Sequence, residues 1–74
     1  MTRTKELKEK IKKQGIKYNF IASQLNLTYA GLKKKIDNES KFDVCEVKKM
    51  CEILNITKTK EMLYIFFADD VELK

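Results

Sequence analysis

Two observations predict an all-helical domain of five short helices. Proline is absent and only two glycines occur in 74 residues, and apolar side chains recur every three or four positions between polar stops. With so few built-in interruptions, helices run until a cap ends them. A third observation limits the architecture: a chain of this length buries only about 60% of the surface its unfolded form exposes. It is therefore held by close helix packing or by a second copy. The two cysteines allow at most one disulfide, and with no histidine and no Cys-x-x-Cys pair there is no zinc site of ordinary spacing. No metal, no cofactor and no enzymatic activity are expected. No apolar run approaches the roughly 18 residues of a membrane span, and residues 1–12 read as a charged helix and not a signal peptide. The expectation is a cytoplasmic protein with reduced thiols and no membrane contact.

In the first helix, Thr4 to Gln14, Leu7 and Ile11 share one face while Lys5, Lys8, Lys10, Lys12 and Lys13 surround the rest. Gly15 is placed to end it in the left-handed region, with Ile16 falling back on Ile11. The second helix, about Tyr18 to Leu25, turns Ile21, Ala22 and Leu25 inward; the third, about Tyr29 to Asp37, does so with Leu32 and Ile36. Only Asn26-Leu27-Thr28 separates them, too short for a flexible linker, so it fixes the angle between two packed helices. Asn26 tolerates positive φ, Leu27 fills the space between the helices, and Thr28 caps the third.

The fourth helix has the strongest start signal. Asp43 is its N-cap, Glu46 the reciprocal partner, and Phe42 stands before the cap facing Val47. Val47, Met50, Cys51 and Leu54 form its buried stripe, and Lys48, Lys49 and Glu52 its solvent side. Thr57 is expected to cap a fifth helix, Lys58 to about Phe67, in which Phe66 and either Leu63 or Met62 close the core. The acidic tail 68–74 reads as disordered or as a short edge strand. The whole is one domain over 1–74 with its core in 4–67.

Charge divides along the chain. Residues 1–41 carry eleven basic and four acidic side chains, net +7, and residues 42–74 carry five and seven, net −2. A polyanion is attracted to the first half and not to the second. Fifteen of the sixteen basic residues are Lys, so a merely solvated lysine surface is the competing reading.

The stretch Ile21-Ala22-Ser23-Gln24-Leu25-Asn26-Leu27-Thr28, followed by Leu32 and Ile36, resembles the lambda repressor-like helix-turn-helix family, including its small Cro-type regulators. Lys34-Lys35-Ile36-Asp37-Asn38, then Phe42 with Glu46-Val47, is similar to a phage-type subgroup, and the resemblance covers roughly residues 4–67. Asn26 stands where the family usually has Gly, keeping access to positive φ at small cost. Gly31 lies early in the third helix, where Gly costs up to about 1 kcal/mol; first-turn permissiveness and close approach to DNA or to the second helix both account for it.

The resemblance implies a helix-turn-helix at helices two and three, with the third as recognition helix in the major groove. Tyr29, Ala30, Lys33 and Lys34 would then reach base edges, Lys to guanine and Ala30 or the Tyr29 ring to a thymine methyl. Lys17, Asn19, Thr28, Asn38, Ser40 and Lys41 would meet the phosphate backbone. Arg3, the only Arg, reads either as an arm or as an uninvolved terminus. With no Arg in the third helix, modest specificity per half-site is expected. A homodimer on a palindromic double-stranded DNA operator follows, with Tyr64, Phe67 and Val71 as its candidate interface because not every apolar residue of the fifth helix and tail can be buried. The implied function is a sequence-specific transcriptional repressor in a bacterial or phage-infected cell. The alternative is a protein-interaction module on the same fold, an antirepressor or antitoxin-like partner. Cys51 reads as a small core residue and Cys45 lies off its stripe.

Overall fold

How each helix stops organises the chain. The computed structural model describes residues 1–68 and contains α1 (Thr4–Gln14), α2 (Tyr18–Gln24), α3 (Tyr29–Ile36), α4 (Val44–Leu54) and α5 (Thr59–Phe66), with no strand among the described residues. Helices α1 to α4 are each followed within two residues by one of positive φ: Gly15 at 72°, Asn26 at 58°, Asn38 at 67° and Asn55 at 61°. In every case the next N–H turns back to the carbonyl five residues earlier. Ile16 donates to Ile11 at 3.3 Å, Leu27 to Ala22 at 2.9 Å, Glu39 to Lys34 at 2.7 Å and Ile56 to Cys51 at 2.9 Å. This closure satisfies carbonyls that a helix end otherwise leaves open. Where the following residue is apolar, at Ile16, Leu27 and Ile56, it packs against the core.

The start of α4 is the predicted capping box: Glu46 N–H donates to Asp43 Oδ1 at 2.7 Å and Asp43 N–H to Glu46 Oε1 at 2.9 Å. The start of α5 differs from expectation. Its N-cap is Lys58, with no side-chain hydrogen bond, and Thr57 lies exposed in the connection. The buried residues of α5 are Ile65 and Phe66. Met62 packs partly against the core while Leu63 is half-exposed, so Met62 takes the place left open between the two.

Leu7, Ile11, Ile21, Leu32, Ile36, Met50 and Leu54 are fully buried. They come from α1, α2, α3 and α4, and each contributes roughly 1.5–3 kcal/mol by leaving water. Helix α1 lies against α3, α4 and α5, and α2 packs mainly on α3. The Phe42 ring meets Phe66 edge-on at 5.5 Å between centroids.

The N-terminal residues run between α3 and α5. Arg3 N–H donates to the Ile65 carbonyl at 2.7 Å and Ala68 N–H to the Met1 carbonyl at 3.0 Å. On the other side, Thr2 N–H donates to Asn38 Oδ1 at 2.9 Å, Asn38 Nδ2 donates to the Thr2 carbonyl at 2.8 Å, and Thr4 Oγ1 donates to the Ile36 carbonyl at 2.6 Å. Arg3 is no arm reaching outward: its Nε donates to the Tyr64 carbonyl at 3.0 Å and its guanidinium lies 4.2 Å from the Tyr64 ring centroid.

Candidate nucleic-acid interface

The connection between α2 and α3 holds the candidate surface in place. Ala22 is buried, and its carbonyl accepts the Leu27 N–H that closes the turn. Leu27 is half-buried against the core, and Thr28 caps α3 by accepting the Gly31 N–H at 2.9 Å. A Cβ on Gly31 would stand 3.1 Å from Thr28 Oγ1. Room for the cap hydroxyl is thus a structural reason for glycine at this position.

The outward face of α3 presents Tyr29, Ala30 and Lys34 exposed and Lys33 half-buried. Tyr29 keeps 51% of its surface. Its ring lies 6.1 Å from that of Tyr18, over which Lys33 Nζ sits at 5.8 Å. The two tyrosines and Lys33 therefore form one cluster, in which α2 props the side chains of α3. Tyr18 was not among the expected site residues. Its signal was positional, since Tyr18 and Tyr29 each open a helix immediately after its cap.

The three consecutive lysines of α3 have separate situations. Lys35 donates to the Lys41 carbonyl at 2.7 Å and pairs with Glu46 at 3.0 Å, which fixes the end of α3 to the start of α4. Lys33 lies over Tyr18. Lys34 is exposed and makes no ion pair among the described residues.

Of the expected phosphate-contacting residues, Lys17, Asn19, Thr28, Ser40 and Lys41 are exposed. Asn38 is a correction. Both ends of its amide are committed to the N-terminal segment, with Nδ2 also 3.3 Å from Thr4 Oγ1, so its side chain holds Thr2 and is not open to a phosphate. Of the expected self-association residues, Tyr64 and Phe67 open onto different clefts. Tyr64 faces a cleft with Glu6, Glu9 and Lys13 of α1, whereas Phe67 leaves helical geometry at φ −128° and lines a groove between α4 and α5. Val71 lies outside the described residues.

Among the described residues no group of acidic or cysteine side chains is arranged to hold a metal ion, and no helix is long and apolar enough to cross a membrane. The Cys51 thiol, half-buried beside α5, is raised above its ordinary value of 9.0, first by burial and then by the carboxylates of Glu61 and Glu52. A thiol held protonated is a poor nucleophile. No protein family, curated protein or solved structure matches the chain.

Proposed function

We propose that the chain is a sequence-specific double-stranded DNA-binding regulator of the lambda repressor-like, Cro type, with α2 and α3 as its helix-turn-helix. It would act as a cytoplasmic repressor, one copy on each half of a palindromic operator. The observation that carries this reading is the exposed face of α3. Lys34 is exposed and makes no ion pair among the described residues, and it follows a Lys33 held over Tyr18, one turn on from the exposed Tyr29, on a helix whose start a capped three-residue turn fixes.

In this reading Lys33 and Lys34 donate to guanine O6 and N7, and the Tyr29 ring and Ala30 methyl meet thymine methyls. Lys17, Asn19, Thr28, Ser40 and Lys41 anchor the phosphates and set the register. Lysines, which hydrate strongly and lack the guanidinium fork, give each half-site limited discrimination, so two copies on one site supply the remainder.

Selection of bound sequences from a random duplex pool tests the proposal. A palindromic product is expected, with affinity falling steeply as salt rises because phosphate contacts release counterions. Lys34→Ala should weaken binding by about 1–3 kcal/mol if it reads a base, with helicity by circular dichroism unchanged. Salt-insensitive binding, or none to any duplex, overturns the reading and favours a protein-interaction module.

A further inference from the structure

Helix α4 has a second stripe besides the one it buries. Val44, Lys48 and Cys51 recur at four and three residues, the spacing that seats one helix against another, and all three line the groove between α4 and α5 together with Asn55, which ends the helix. That groove has a volume of about 570 Å³ and is floored by Val47, Ile56, Met62 and Phe67. Val44 stands at its edge with 76% of its surface exposed, the most of any large apolar residue in the described chain. One face thus carries both an apolar knob and an apolar hole, which is what a two-fold contact between identical surfaces needs.

Charge on the same face is self-complementary. Lys48 and Glu52 both line the groove, lie one helical turn apart, and make no ion pair among the described residues. When two such helices pack antiparallel, a lysine four residues before a glutamate meets the glutamate of the other helix, and the reverse pair forms by symmetry. This sets a register in which residue numbers across the contact sum to 100. Val44 of the second copy then comes level with Ile56, at the end of the groove, where an apolar side chain has somewhere to go.

We propose that the α4–α5 groove is a two-fold interface with a second copy of this chain, α4 packing antiparallel on α4, Lys48 pairing with Glu52 across it and Val44 filling the groove. This deepens the reading above, in which two copies act on one duplex. It replaces a contact through Tyr64, which lies on another face, and retains Phe67.

The two cysteines test the register. At a rise of about 1.5 Å per residue, two Cys51 residues are offset by about 3 Å along the axis and two Cys45 residues by about 15 Å. A disulfide needs Cα atoms within about 7 Å. Mild oxidation of Cys45→Ser protein at alkaline pH should therefore give a covalent dimer, and Cys51→Ser protein should not. In sedimentation without DNA, Val44→Lys should leave a monomer of unchanged helicity. Lys48→Glu or Glu52→Lys should each weaken self-association about tenfold through two lost pairs, and the double exchange should restore it.

A wild-type chain that stays monomeric at hundreds of micromolar overturns the proposal. So does association that Val44→Lys leaves intact, that the double exchange fails to restore, or that only removal of residues 69–74 abolishes, the last assigning the contact to that segment. Because self-association is measured without DNA, its failure leaves DNA binding standing, and absent DNA binding leaves the contact standing.

Discussion

Two connections in this protein are built from nearly the same three residues and do different things. Asn26-Leu27-Thr28 joins α2 to α3, and Asn55-Ile56-Thr57 leads from α4 toward α5. In both, the asparagine is left-handed and the apolar residue donates its N–H five residues back. The difference begins at the threonine. Thr28 caps α3 at once, with Gly31 giving its hydroxyl room. Thr57 caps nothing, and an extended Lys58 intervenes before α5. The first connection is a closed turn that holds a polar, cationic face outward; the second opens onto an apolar groove.

The cause lies at the far end of α5. Its position is set by Arg3 on the Ile65 carbonyl, by Ala68 on the Met1 carbonyl and by the Phe66 ring on Phe42. A threonine cap is worth about 1 kcal/mol, which several such tertiary contacts together outweigh. The same triplet therefore specifies how a helix stops but not how the next one starts.

Truncating the apolar residue of each triplet should give the largest difference between them. Ile56, with 6% exposure, is a core residue, and Ile56→Ala should cost about 2–4 kcal/mol in urea unfolding. Leu27 is only half-buried, and Leu27→Ala should cost clearly less. Equal losses would mean that the first turn depends on its plug as heavily as the second depends on its core.

The threonines separate the connections more sharply. Thr28→Ala should lose about 1 kcal/mol, whereas Thr57→Ala should stay within about 0.5 kcal/mol of wild type. A comparable loss at Thr57 would show that its hydroxyl caps α5 in solution.

Helix existence was legible because Pro is absent and the apolar spacing is regular. Asp43 and Glu46 formed their box because both partners lie within one turn and need nothing distant. Thr57 misled because its local signal matches Thr28 and the deciding contacts come from Met1, Arg3 and Phe42, all outside the α4–α5 connection. Asn38 misled for a related reason. The resemblance implies a phosphate contact for it, but its amide is taken by Thr2, which no local pattern links to it. On the candidate face, Tyr29, Ala30 and Lys34 were readable from helical phase alone, whereas the roles of Tyr18 and Lys35 require knowing how α2 and α4 meet α3.

Gly31 tests how tightly the first connection is built. Alanine should add up to about 1 kcal/mol of helix propensity, but its Cβ would crowd the cap hydroxyl at 3.1 Å. Gly31→Ala alone should therefore gain little or lose slightly, while the same change in a Thr28→Ala background should stabilise. A cycle measured by urea unfolding reads the coupling directly, and equal effects in both backgrounds would show that the cap does not constrain residue 31.

The smallest effect belongs to the open connection and follows from Cys51. Burial first, and then Glu61 and Glu52, raise its thiol above the ordinary 9.0, so the folded state keeps its proton where the unfolded chain releases one. Above about pH 9 the unfolded state therefore binds fewer protons, and stability falls as pH rises until the folded thiol also ionises; below that range the contribution is fully present. Cys51→Ala removes this thiol and leaves every other ionisable side chain in place. Urea midpoints compared between pH 8 and pH 10 should fall further in wild type than in Cys51→Ala. Parallel changes in the two proteins would place the thiol in a better-solvated setting and make the wall of the groove at Cys51 more open than its packing against α5 indicates.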